Sequence, residues 1–143
     1  MVAVTKVQIA IVGSGPAGLS AASRAAERGL SHVLLEKTDH LSDTIFKYQR
    51  GKYVMATPDN LPLQSDLRFE ADTRENILGW WDDGMEQFGV NVKFNAEVTG
   101  VDGEKGDFTI TTAAGETVKA KHVIMAIGLQ GNLRQLDASS IPG

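Results

Sequence analysis

Gly13, Gly15 and Gly18 stand in the spacing G-x-G-x-x-G within IAIVGSGPAGLSAASRAAERG, residues 9–29, and Glu36 follows eighteen positions after the last of them. Each glycine has its own task in a loop that meets a diphosphate. Gly13 permits a tight turn, Gly15 lets phosphate oxygens approach the backbone, and Gly18 lets a helix pack closely on a strand. The free N–H groups and positive dipole end of that helix then face the phosphate charge. A carboxylate at position 36 suits the two hydroxyls of an unsubstituted ribose and disfavours a 2′-phosphorylated one, which needs an arginine. These residues leave NAD and FAD both open, because each presents an adenosine ribose with free hydroxyls.

The glycines work only if a strand delivers them and a helix receives them. Residues 7–12, VQIAIV, are β-branched and aliphatic and end at Gly13, as a buried parallel strand does. The alanine-rich run Pro16–Glu27 reads as the helix, with proline in its first turn and Gly29 as its stop. HVLLEK at 32–37 is expected to be the second strand, completing a strand, helix, strand unit with Glu36 at its end.

Residues 38–71 lack a clear period and read as a long excursion with one short strand at KYVMA, residues 52–56. Asp72 and Glu75 have capping-box spacing, and Ile77, Trp81, Met85 and Phe88 share one face, so a second helix is expected to run to Gly89. VNVKF at 90–94 resembles a third core strand. EVTGVD, DFTITT and ETVKA are expected to form a three-stranded meander, and HVIMAIG at 122–128 a separate fourth parallel strand.

Other reactive side chains give weaker patterns. His32, His40 and His122 lie apart with no metal-ligand spacing and read as structural or solvated, His40 as a surface-loop residue. Trp81 is expected in the core and Trp80 partly exposed; Met55 and Met125 read as packing residues. Lys47, Arg50 and Lys52 read as a solvated face, and the adjacent Asp82 and Asp83 cannot face one site on a helix. No nucleophile, base and orienting group assemble, so the catalytic residues are unknown and a bound cofactor must carry any redox chemistry.

The 143 residues suit one domain, which at that size buries roughly two thirds of its unfolded surface. A net charge of −4 without a basic run argues against nucleic acid as a partner. The chain has no cysteine, which excludes an iron–sulfur cluster and a dithiol within these residues and fits a reducing compartment. VAVTKVQIAIVG reads poorly as a signal peptide, and no segment has about eighteen uninterrupted apolar residues, so a cytoplasmic location off the membrane is expected.

Four features in order resemble the flavoproteins with two dinucleotide-binding domains, related to thioredoxin reductase and the wider pyridine-nucleotide–disulfide oxidoreductases. VGSGPAGLSAA is similar to their flavin loop, LLEK to their ribose-binding strand end, and the meander to that of their FAD domains. VIMAIG resembles their ATG-like motif, with Ala126 and Gly128 matching and Ile127 in place of the threonine. The resemblance implies a Rossmann-like, three-layer α/β FAD-binding domain with a parallel sheet and a three-stranded β-meander, spanning residues 1–143. It implies FAD as cofactor, NAD(P)H as the reductant of a longer parent, and an unknown acceptor. Gly13, Gly15, Pro16, Ala17 and Gly18 would then hold the diphosphate and Glu36 the ribose with Lys37 nearby. Val98 would meet adenine through its backbone, and residues 55–64 would line the flavin side.

Members of this family continue into an inserted NAD(P)H domain and return to a glycine–aspartate motif, whereas this chain ends at SIPG. The domain is therefore expected to be incomplete at its C-terminal side, with an uncovered sheet edge through which two chains associate. HLSDTIF, where the glutathione-reductase branch has its dithiol, holds no cysteine, which disfavours that branch. A catalytically incomplete nucleotide-binding fragment and an NAD-binding dehydrogenase domain remain the alternatives.

Overall fold

The structure, a computed structural model, describes residues 4–54, 66–68 and 70–128. Strand β1, Val4–Val12, begins earlier than its apolar run because Val4 to Val7 also find a partner strand. Helix α1, Pro16–Glu27, follows with Pro16 in its first turn, and Gly29 beyond its end has φ +69°. Strand β2, His32–Leu35, is buried along its length and stops one residue before Glu36.

The excursion contains one element that carries no periodic signal, the four-residue helix α2, Asp43–Phe46. Strand β3, Tyr53–Val54, pairs antiparallel with β4, Asp72–Thr73, outside the main sheet. Helix α3, Arg74–Phe88, buries Ile77, Trp81 and Met85, with Phe88 packed alongside, as its period predicts, and ends at Gly89 with φ +69°. Its cap differs from the expected box. Thr73 is the N-cap and accepts from the Asn76 N–H, while Asp72 accepts from the Thr73 N–H and the Asn76 amide. Glu75 turns away to accept from the Gly51 N–H at 3.0 Å, tying the excursion to α3.

Strand β5 is only Val92–Lys93; β6, Val98–Glu104, and β7, Asp107–Thr112, follow, and β8 is the continuous strand Thr117–Met125. The six-stranded sheet has the order β5-β2-β1-β8-β7-β6. β5, β2, β1 and β8 are mutually parallel, and β8, β7 and β6 are antiparallel. The expected meander strand at 116–120 and the expected parallel strand at 122–128 are therefore one strand. Thr117–Ala120 pair with β7 on one side and with Val4–Val7 on the other, and His122–Met125 continue along Ile9–Val12. Lys121 interrupts the apolar run without breaking the strand, because its position is exposed.

Successive residues of a strand face opposite sides of a sheet. Ile11 and Leu34 accordingly join Leu19, Ala22, Ile77, Trp81 and Met85 beneath the helices. Ala10, Val12, Val33 and Leu35 join Ile110, Val118 and Ala120 of the meander. The result is the Rossmann-like α/β fold, with the loop after β1 at the carboxyl ends of the parallel strands.

Candidate dinucleotide site

The turn from Gly13 to Gly18 is built on the ends of three strands. Gly13 has φ +102°, and its N–H donates to the Leu35 carbonyl at 2.9 Å. A Cβ there would lie 2.3 Å from the Ala126 carbonyl oxygen; one at Gly18 would lie 1.8 Å from the Gly13 carbonyl oxygen and 3.5 Å from the Ala126 Cβ. Ala126 is held in place by its N–H, which donates to the Val12 carbonyl at 2.8 Å. The fold itself thus requires glycine at 13 and 18.

Gly15 differs. Its φ of −72° suits any residue, and a Cβ built on it meets nothing within 4 Å. Gly15 is the N-cap of α1, no side chain caps that end, and Pro16 and Ala17 beyond it are exposed. An α-helix starting at Pro16 leaves the Ala17 and Gly18 N–H groups without intrahelical acceptors. Open space beside Gly15, orphan donors and the positive end of α1 are what a dinucleotide diphosphate requires.

Glu36 is 5% exposed, so it is not the open carboxylate that its position at a strand end suggests. Its Oε1 accepts from the Ser14 hydroxyl at 2.6 Å and the Ser14 N–H at 3.3 Å, and its Oε2 accepts from the Thr38 N–H at 2.7 Å. Lys37 beside it is exposed. The Ala96 N–H donates to the Glu36 carbonyl at 2.9 Å, which draws the segment before β6 along the end of β2 and sets Val98, half-buried, at the start of β6. Gly128, φ +62°, lies exposed two residues after Ala126. Bonds and close packing therefore join the glycine loop, Glu36 and Ala126, with Lys37, Val98 and Gly128 in the adjoining segments of the same chain. Residues 55–64 lie outside those described.

Sequence spacing misses the serines that complete this arrangement. Ser42, itself at φ +52°, donates its hydroxyl to the Ser14 carbonyl at 2.7 Å and its N–H to the Ser14 hydroxyl at 3.0 Å. The separation of 28 positions between them carries no local signal. His40 is likewise more constrained than a surface-loop histidine: Nδ1 lies 2.8 Å from Asp39 and Nε2 2.7 Å from Asp43. Asp43 also pairs with Lys47 at 2.8 Å, and the ring stacks on Phe46 at 3.7 Å. Burial pulls the His40 imidazolium down, but hydrogen bonds to Asp43 and Asp39 outweigh it and hold its pKa above the ordinary 6.5. The Lys47 ammonium, opposed by burial and helped by His40, lowers Asp43.

The remaining candidates are packed in the fold or exposed on its surface. His32 Nε2 accepts from the Asn91 N–H at 3.0 Å, leaving Nδ1 to donate to the Leu30 carbonyl at 2.8 Å. His122 is exposed. Trp81 is fully buried, and half-buried Trp80 lies under the Arg68 guanidinium at 3.7 Å. Lys47, Arg50 and Lys52 are exposed, as a solvated face should be. Asp82 is raised by partial burial and by Asp83, yet both residues are exposed on α3. Met125 is 53% exposed rather than packed, because β8 has outrun its partner β7 there. Met55 lies outside the described residues. Among the described residues no three His, Asp or Glu side chains are grouped to hold a metal ion, and no helix is long and apolar enough to cross a membrane.

The model of the pyridine nucleotide-disulphide oxidoreductase family matches residues 10–139, from within β1 through the whole site. The chain belongs to this family. Among curated members, it is 30% identical over 120 residues to a ferredoxin–NADP reductase of Lactiplantibacillus plantarum, a match covering 84% of this chain and 34% of that protein. It is 28% identical over 133 residues to a thioredoxin reductase of Peptoclostridium litorale, covering 87% and 35%. Among solved structures, a bacillithiol disulfide reductase of Staphylococcus aureus superposes with a TM-score of 0.73 at 25% identity, over 87% of this chain and 39% of that one. The chain thus spans about a third of the length of the curated family members it matches.

Proposed function

We propose that residues 1–143 are the FAD-binding domain of a flavin-dependent NAD(P)H oxidoreductase. In the full-length protein, NAD(P)H reduces the flavin and an acceptor outside this sequence reoxidises it. The observation that carries the reading is Gly15, a glycine that the fold does not need, beside the uncapped start of α1. Family membership and the reductases among its relatives support the same chemistry. A meander between β5 and β8 favours FAD over NAD in this reading.

The residues divide the work. Gly13 and Gly18 shape the turn, the Gly15 and Ala17 N–H groups are the backbone donors for the diphosphate, and Pro16, which has no N–H, opens the helix between them. Glu36 accepts from the ribose with Lys37 alongside, the Val98 backbone meets adenine, and Ala126 and Gly128 flank the turn from β8. Bound flavin supplies the hydride chemistry; the protein supplies position and electrostatics. The dispersed charge of −4 supports a partner list of small molecules rather than nucleic acid, and a cytoplasmic location fits the cysteine-free composition. The chain spans a third of its relatives, which favours one second reading: taken alone it is a binding module without turnover.

Adding FAD and then NADH to the purified chain separates these readings. Bound yellow flavin that NADH bleaches indicates a complete enzyme, flavin without bleaching indicates the binding module, and saturable NADH binding without flavin overturns the cofactor assignment. Gly15→Ala is expected to weaken FAD binding about tenfold or more with thermal stability almost unchanged, because the added methyl meets ligand and not protein. Gly18→Ala, whose methyl meets the Gly13 carbonyl, is expected to lower stability and FAD binding together. Equal FAD affinity in Gly15→Ala and the parent chain would remove the diphosphate assignment.

A further inference from the structure

Glu36 and Ser14 form one buried unit with Ser42. Ser14 is 1% exposed and Ser42 2%, and Glu36 is hardly more accessible. Ser14 spends both of its donors, N–H and hydroxyl, on Glu36 Oε1. Its two oxygens serve Ser42: the hydroxyl accepts the Ser42 N–H, and the carbonyl accepts the Ser42 hydroxyl. Glu36 Oε2 is taken by the Thr38 N–H, with the Thr38 hydroxyl at 2.9 Å shared with the His40 carbonyl at 2.8 Å.

Ser14 stands between the two glycines that bracket the turn, so whatever fixes it fixes the direction of the Gly15 and Ala17 donors. Its own N–H points at the protein and is withheld from a ligand. The left-handed backbone of Ser42 is unusual for a residue other than glycine, and it persists because both Ser42 donors reach Ser14. A carboxylate accepting charge-assisted hydrogen bonds from a loop holds it more firmly than neutral pairs do.

We infer that Ser14 is a positioning residue through which Glu36 orients the diphosphate-binding loop, so that Glu36 serves the diphosphate as well as the ribose. This rests on the dinucleotide reading above. Glu36 would not act on the ribose alone: its loss loosens the turn, and removing the Ser14 hydroxyl loosens the turn while leaving the ribose contact in place. Ser14 touches neither sugar nor phosphate in this scheme and acts only by holding backbone donors in line.

The test compares the full chain with Ser14→Ala, Glu36→Gln and the double variant, titrating adenosine and ADP by calorimetry. Amide hydrogen exchange at Ser14 and Ser42 is followed without ligand. Ser14→Ala is expected to weaken ADP about tenfold, the scale of one charge-assisted hydrogen bond, with adenosine affinity unchanged. Glu36→Gln is expected to weaken both, and its extra loss for ADP is expected to vanish in the Ser14→Ala background. Exchange at both amides is expected to rise in Ser14→Ala. Unchanged ADP affinity in Ser14→Ala, or an equal loss for adenosine and ADP, overturns the inference. If the parent chain binds neither ligand, the cofactor reading has failed, and the exchange result alone then decides whether Ser14 holds the turn. Should Glu36→Gln fail to fold, Ser14→Ala decides by itself, since it only removes one oxygen.

Discussion

His40 sits between two carboxylates, Asp39 and Asp43, with Lys47 also paired to Asp43 and the Arg74 guanidinium 5.2 Å from the Phe46 ring centroid. Its raised pKa ties part of the stability to pH. A folded-state value above the unfolded one means that the contribution is complete below the ordinary 6.5 and disappears as pH rises through the folded value. The stability lost in His40→Asn is therefore expected to be greatest near about pH 6 and to shrink toward about pH 9, read from urea midpoints of both proteins across that range. A difference that stays constant with pH would show that the imidazolium is not what holds the loop. At this scale the glycine positions are legible, because a spacing of two and three residues survives in any context. The His40 cluster is not, because its two carboxylates gain meaning only once α2 turns Asp43 back over the ring.

Helix α3 shows how far periodicity reaches. Ile77, Trp81, Met85 and Phe88 recur at helical spacing and form the contact with β1, β2 and α1. Trp81 is fully buried with its indole N–H donating to the Arg68 carbonyl at 3.0 Å. Trp81→Ala is expected to cost about 3–5 kcal/mol of unfolding free energy, the usual range for a large aromatic in a packed core. Trp80→Ala is expected to cost under about 1.5 kcal/mol, since it loses a half-exposed cation–π contact with Arg68. Denaturant unfolding of the two variants checks the ranking, and equal costs would contradict the assignment of faces. The cap is less legible than the face. Asp72 and Thr73 both suit an N-cap, and pairing of Asp72 and Thr73 with β3 decides for Thr73.

For the whole molecule, β8 is the element on which most depends. Its first four residues pair on both sides, but His122–Met125 pair only with β1 among the described residues, leaving Ile124 39% and Met125 53% exposed. A groove of about 420 Å³ runs from Ile124 past Ile9 to Ala21 and Ala25 of α1. An unpaired strand edge with apolar side chains is a template for another chain. We propose that two copies associate through this edge. Sedimentation is expected to show a concentration-dependent dimer that Met125→Lys weakens; a monomer at all concentrations would refute it. The continuity of β8 is not legible in sequence, because Lys121 divides two apolar runs that only the register with β1 and β7 unites.

The amino-acid sequence determined the strand, glycine loop, helix and strand unit, the buried face of α3 and the order of the meander. These follow from local spacing and side-chain period, which act over a few residues. Tertiary structure decided that Glu36 is buried against Ser14 and Thr38, that Ser42 reaches the loop across a separation of 28 positions, and that β8 is one continuous strand whose last residues, among those described, pair only with β1. Those outcomes depend on hydrogen bonds and pairing between segments distant in the chain, for which no local pattern exists.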